Sequence, residues 1–148
     1  MTAAACELCA LLADPAQAGG AVIWRDARLA VLLVDEPHYP GFCRVLWHEH
    51  VKEMSDLAPA ERQSIMEAVW QVEAAQRAVL GPEKINLASF GNMTPHVHWH
   101  VIPRYRDDVH FPQPTWAVAQ RAPDPAGLEA RRALLPRLRA AIIERLDA

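Results

Sequence analysis

The stretch His96-Val97-His98-Trp99-His100-Val101-Ile102-Pro103 constrains this chain more than any other. Three of its seven histidines alternate strictly with Val97, Trp99 and Val101. A period of two belongs to a β-strand, so the pattern predicts imidazoles on one face and apolar residues on the other. Successive rings would stand roughly 6.5–7 Å apart, and the outer pair about 13 Å. Pro103 lacks a backbone donor and is expected to end the strand soon after. The fold must place a core behind Val97, Trp99 and Val101 and leave the other face to the rings.

Such a row suits three uses. Two histidines at i and i+2 can share a metal ion, but a metal–nitrogen distance of about 2.0–2.1 Å keeps the outer pair from sharing one. A neutral imidazole can attack phosphorus through one ring nitrogen when the other gives its proton to a fixed acceptor. Neighbouring rings can then hold phosphate oxygens or protonate a leaving group. The plain alternative is the polar side of a half-buried strand. That explains a lone histidine better than three in register.

Pro95-His96-Val97-His98-Trp99-His100-Val101-Ile102-Pro103-Arg104 resembles the signature of the histidine triad (HIT) superfamily, His-φ-His-φ-His-φ-φ followed by Pro-Arg. The resemblance implies an α+β fold: an antiparallel sheet of about five strands with one long helix packed on it. It also implies a homodimer acting on nucleotide conjugates. In that reading His98 attacks the α-phosphorus, His100 donates to phosphate or leaving group, and His96 orients the site or serves a metal.

Composition narrows the setting. A chain of 148 residues suits one domain, and 51% hydrophobic with 22% charged residues is ordinary for a globular protein. A net charge of -3 gives no reason to expect nucleic-acid binding. No apolar run approaches the roughly 20 residues that span a bilayer, so no membrane contact is expected. The opening Met1-Thr2-Ala3-Ala4-Ala5-Cys6-Glu7 has neither a basic nor a long apolar region, so no secretory leader is expected. Three cysteines do not suggest a disulfide framework, and a cytoplasmic enzyme fits best.

Cys6-Glu7-Leu8-Cys9 can be half of a zinc site, a redox pair or two unconnected thiols. A zinc site needs two further ligands, and His48, His50 and His96 are available. Proteins similar to the family use such a pair with a histidine ahead of the long helix and the first triad histidine. The resemblance therefore implies Cys6, Cys9, His50 and His96 around a structural zinc, with no cofactor required for the chemistry.

Residues 10–20, with Asp14-Pro15 and Gly19-Gly20, read as a loop. Strands are expected at Ala21–Arg25 and Leu29–Val34, turning at Asp26-Ala27-Arg28. Asp35 at the second strand's end is a turn former by itself. The resemblance makes it a ribose contact, which suits a carboxylate that accepts two hydroxyl hydrogen bonds. Pro40-Gly41-Phe42-Cys43-Arg44-Val45-Leu46-Trp47-His48-Glu49-His50-Val51 is similar to a second family block, with His50 matching its final histidine. Phe42 stands where that block commonly has a phosphate-site histidine, and Trp47 where it has proline; both read as packing residues.

Pro59 to Leu80 is the clearest helix, with Ile65, Val69, Val72 and Val79 near one face and Gly81-Pro82 as its stop. Met66 and Trp70 widen the apolar stripe toward core or a dimer contact. Lys84 to Phe90 reads as a strand, and Gly91-Asn92-Met93-Thr94 as a turn of phosphate size. No Gly-x-x-x-x-Gly-Lys loop is present. The resemblance implies that Asn86, Gly91 and Asn92 line the nucleotide site. Local hydrogen bonding is the plain alternative for the two asparagines.

Beyond Arg104 the resemblance ends. An HIT-like domain over 1–110 is expected, then an extension over 111–148 packed on the same domain or on the partner subunit. His110 to Pro114 reads as extended, and Trp116 as surface packing or a lid. A helix is expected from Leu128 to Leu146, interrupted by Pro136. Together these readings predict hydrolysis of a dinucleoside polyphosphate or nucleoside phosphoramidate through a nucleotidyl-histidine at His98. The rivals are a zinc-stabilised nucleotide-binding protein with little turnover and a nucleotidyltransferase.

Overall fold

The computed structural model describes residues 1–18 and 21–148. Five strands form one antiparallel sheet: β1 (Val22–Arg25), β2 (Leu29–Leu33), β3 (Cys43–Trp47), β4 (Lys84–Ala88) and β5 (His98–Arg104). Their spatial order is β1-β2-β3-β5-β4. The fold is α+β, as the resemblance implied.

Register decides what each sheet face carries. Val45 lies opposite Trp99 and Cys43 opposite Val101, while Arg44 faces His100 and Leu46 faces His98. Opposed residues share a face, so one side of β3 and β5 is apolar and the other carries the imidazoles. The long helix α2 (Pro59–Leu80) covers the apolar side. Pro59 starts it without wasting a donor, and the Glu61 carboxylate accepts the Ala58 N–H at 2.7 Å. Gly81 ends it in the left-handed conformation at φ 60°. Ile65, Val69 and Val72 are fully buried, each contributing about 1.5–3 kcal/mol of apolar burial. Trp70, on another side of the helix, is exposed.

The C-terminal segment forms two helices, α3 (Pro125–Arg132) and α4 (Leu135–Asp147). The break falls at Ala133-Leu134, ahead of Pro136, which occupies the first turn of α4 where its missing N–H costs nothing. Leu138 and Ile142 of α4 are wholly buried in the core that α2 shares. Gly41, at φ 92°, lets the chain pass close to this junction: a Cβ there would stand 2.5 Å from Leu80 Cδ1 and 3.3 Å from Leu138 Cδ2.

Several expectations need correction. Residues 10–13 are helical, within α1 (Glu7–Ala13), and a short 3₁₀ turn follows at Pro15–Ala18. Leu8 and Leu12, one turn apart, bury against Ala30, Leu32 and Leu46, which stabilises a helix too short to persist alone. Gly19-Gly20 lie outside the described residues. The strands stop at Leu33 and Ala88, short of Val34 and Phe90, and β1 begins at Val22. Residues 106–112 form turns rather than an extended run, because Asp108 gathers the N–H groups of Tyr105, His110 and Phe111. His96 precedes β5 instead of heading it.

Candidate functional site

The imidazoles of His98 and His100 follow one another along β5 with ring centroids 5.2 Å apart. The Nδ1–H of His98 donates to the carbonyl of His96 at 2.6 Å. A carbonyl can only accept, so this bond fixes the tautomer and leaves Nε2 with its lone pair. Burial lowers the pKa of His98 most, and the Arg44 charge adds to it against the opposing His96 bond; the net direction is down. Burial, then Arg44 and His98, push His100 to about 4. Both rings are therefore neutral at neutral pH.

Both line a cavity of about 610 Å³, a volume suited to a small molecule. Its walls are Phe42 and Arg44 from the β3 region, Glu7 and Leu8 of α1, the 90–94 turn and Trp116. Phe90 meets Trp116 edge-on at 5.0 Å and His100 at 5.6 Å. Phe90, Met93 and Trp116 are all exposed at this cavity, giving it an apolar rim. Phe42 packs with Tyr39 and Ile102 and also meets the His100 ring at 5.3 Å.

His96 does not share this open row. Its ring turns under α1, with Nδ1 3.4 Å from Cys9 Sγ and 3.6 Å from Cys6 Sγ. His50 Nδ1 lies 3.3 Å from Cys9 Sγ, and the four ligand atoms all fall within 4.8 Å of one another. Metal–sulfur and metal–nitrogen bonds of 2.3 and 2.0–2.1 Å at tetrahedral angles give a sulfur–nitrogen edge of about 3.6 Å. The cluster has these dimensions. The Nε2–H of His96 donates to the Trp47 carbonyl at 2.6 Å and that of His50 to the Met1 carbonyl at 3.3 Å, so both rings present an Nδ1 lone pair to the thiols. Burial, then Cys6's hydrogen bond and charge, push the Cys9 thiol up to about 11, so a cation is what would hold it as thiolate. These residues fit a metal ion. His48 stays outside, its Nδ1 bonded to the Ala27 carbonyl at 3.2 Å.

Gly91 and Asn92 line the His98 cavity. Asn86 lines an adjoining cavity of about 510 Å³ instead, and its Oδ1 accepts from Arg104 Nη1 at 2.7 Å. The two cavities share Ile102, Thr115 and Trp116. Asp35 is exposed beyond β2 and lines neither. Sequence reasoning missed Arg44, Glu7 and Phe90. Arg44 carried a signal: it is the one charged residue within Cys43-Arg44-Val45-Leu46-Trp47, and alternation puts it on the face opposite Val45.

The HIT domain family model matches residues 16–107, more than half of the chain. The chain belongs to the HIT domain family. It is 28% identical over 95 residues to the Bis(5'-nucleosyl)-tetraphosphatase (asymmetrical) of Schizosaccharomyces pombe, covering 61% of this chain and 52% of that one. An AP-4-A phosphorylase of Mycobacterium tuberculosis is 26% identical over 98 residues, with 62% and 50% covered. The chain thus spans about half the length of these curated relatives. Among solved structures, a histidine triad protein of Sinorhizobium meliloti aligns at TM-score 0.67 and 25% identity over 89% of this chain and 93% of the other. A Zn-bound histidine triad family protein from Mycobacterium smegmatis aligns at 0.62 and 23% identity over 99% and 98%.

Proposed function

We propose that this HIT protein is a nucleotidyl hydrolase that acts on nucleotide conjugates through a covalent intermediate on His98. One observation carries this reading. His98 is tautomer-fixed by the His96 carbonyl, neutral, and lines a ligand-sized cavity beside a second neutral imidazole. In the first step Nε2 of His98 gives its lone pair to the α-phosphorus. The bond from phosphorus to the bridging oxygen or amide nitrogen breaks and its electron pair departs with the leaving group, a phosphate leaving as the anion and an amide nitrogen taking a proton from solvent to leave as the neutral amine. His100 supports that group through its ring N–H. Water then attacks the nucleotidyl-histidine, its proton passing to solvent. The phosphorus–nitrogen pair returns to His98, and a nucleoside monophosphate is released.

In this reading Gly91 and Asn92 hold phosphate oxygens, Asp35 reaches the ribose, and Asn86 acts from the adjoining cavity. Cys6, Cys9, His50 and His96 hold a structural zinc. The donor set and the Zn-bound mycobacterial neighbour support this metal. Zinc there would supply a cross-link between α1 and the start of β5, not a reacting group. Residues 1–110 form the catalytic domain and 111–148 an extension. We read the unpaired outer edge of β4, with the exposed Trp70 of α2, as the contact in a homodimer. Among the described residues no helix is long and apolar enough to cross a membrane, and three free thiols accord with a cytoplasmic protein. The phosphorylase name of one relative favours a second reading, in which phosphate replaces water as acceptor.

The test is release of AMP from diadenosine polyphosphates, an adenosine phosphoramidate, ADP and ATP, with His98→Ala in parallel and with or without added phosphate. Turnover of one substrate that vanishes in His98→Ala supports the hydrolase. Turnover that survives the substitution refutes it, and a product that switches to a nucleoside diphosphate when phosphate is added moves the assignment to transfer. Nucleotide binding without turnover would leave a binding protein.

A further inference from the structure

A half-buried cation stands in the candidate site with no carboxylate paired to it among the described residues. Arg44 lies directly across from His100 in the β3–β5 register, on the imidazole face, and lines the His98 cavity. None of the ion pairs among the described residues includes it. Its Nε is buried without a hydrogen-bond partner, and so is Nε2 of the neighbouring His100. Two orphaned nitrogens side by side are expensive to leave unpaired, roughly 1–3 kcal/mol each, unless a ligand takes them up. Arg44's guanidinium carbon lies 5.8 Å from the centre of the Phe42 ring, which backs it in the cavity wall. The one carboxylate in the wall, Glu7, is exposed and accepts the Thr94 hydroxyl at 3.0 Å.

We propose that Arg44 binds phosphate oxygens of the substrate on the His100 side of the reacting phosphorus, and that it selects substrates whose leaving group is itself an anion. The position explains the choice. Arg44 opposes His100, whereas the residue opposing His98 is Leu46, so the fixed positive charge sits beyond the nucleophile, next to the ring that supports departure. A guanidinium presents several donors in a rigid fork and stays charged, so it suits a phosphate oxyanion better than the neutral ring expected at position 42 would. Charge that grows on a departing phosphate is stabilised by Arg44; an amine leaving as a neutral molecule gains nothing comparable. The substrate class favoured is therefore a phosphoanhydride over a phosphoramidate. This assignment deepens the hydrolase reading and rests on it.

The experiment compares kcat/KM for diadenosine tetraphosphate and for an adenosine phosphoramidate in wild type, Arg44→Gln, Arg44→Lys and His98→Ala. Thermal unfolding of each variant is recorded alongside. Removing one such donor typically lowers the rate on the order of 100-fold. Arg44→Gln is expected to show that loss with the tetraphosphate and less than about a tenth of it with the phosphoramidate. Arg44→Lys, which keeps the charge, is expected to recover part of the tetraphosphate rate. A packing role for Arg44 would depress both substrates alike, so equal losses overturn the proposal, as does an unchanged rate in a folded Arg44→Gln. Turnover that survives in His98→Ala, or no wild-type turnover of either substrate, brings down the hydrolase reading itself.

Discussion

Replacing Asp108 by Asn should unpin the segment that brings Thr115 and Trp116 to the site. Arg104 Nε donates to Asp108 Oδ2 at 2.8 Å and Nη2 to Oδ1 at 3.1 Å, with side-chain exposures of 3% and 1%. The same carboxylate accepts the N–H of Tyr105 at 3.0 Å, of His110 at 3.1 Å and of Phe111 at 2.7 Å. Asn keeps the shape and one acceptor oxygen but removes the charge, leaving the buried Arg104 cation with neutral acceptors alone, among them Asn86 Oδ1 and the Gln113 carbonyl. Breaking a buried pair from one side costs about 3–5 kcal/mol, which in a chain of this size lowers Tm by roughly 6–20 °C. Acidity gives a second readout. Burial alone would raise the pKa of Asp108, but the Arg104 bonds and the amides of Tyr105 and Phe111 outweigh it, and the net direction is down. A carboxylate depressed in the folded state stabilises fully above its unfolded pKa of about 3.9 and loses that contribution as pH falls through the folded value. Thermal unfolding followed between neutral pH and strongly acidic pH should show this loss in wild type and a flatter acid limb in Asp108→Asn. A variant within about 1 kcal/mol of wild type would refute the reasoning, as would one with the same acid sensitivity.

Three further outcomes are expected. Treatment with a chelator should lower the Tm of zinc-loaded protein by several degrees, since a ligand present at 100 times its Kd stabilises by about 2.7 kcal/mol; Cys9→Ser should show no chelator effect. Leu138→Ala should cost about 2–5 kcal/mol in denaturant unfolding, because the side chain is wholly buried between α4 and the core; a loss under about 1 kcal/mol would mean that α4 is not part of the cooperative unit. Trp116→Ala should raise KM for a nucleotide conjugate while leaving kcat within a few-fold, since Trp116 lines the cavity from an exposed position against Phe90; a selective fall in kcat would contradict a binding role.

Period and punctuation made the frame readable. Alternation in His98–Arg104 and the 3.6-residue spacing of Ile65, Val69 and Val72 each point to one face, and the Pro59 and Gly81 signals bound α2 to the residue. What sequence could not show depends on tertiary partners. His96 shares the alternation of His98 and His100, yet it lies before β5 and turns to Cys6 and Cys9, whose positions follow from α1 packing on Leu46 and Leu32. Helix α1 itself was obscured by Pro15, which ends the local helix signal, while the Leu8 and Leu12 pair that holds it has meaning only against the sheet. Arg44 looked like one charge in an apolar strand until register placed it opposite His100. Asp35 and Asn86 came from resemblance alone, and in this structure one is exposed and the other is bonded to Arg104.

The central claim is that Nε2 of His98 forms a bond to the nucleotide phosphorus. Rapid mixing with diadenosine tetraphosphate, an alkaline quench that preserves the phosphorus–nitrogen bond, and peptide mass analysis test it directly. The account predicts a transient gain of one nucleotidyl group on the peptide containing His98, localised to that residue and absent in His98→Ala. Full turnover with no labelled histidine, or a label on His100 or His96 instead, would contradict it.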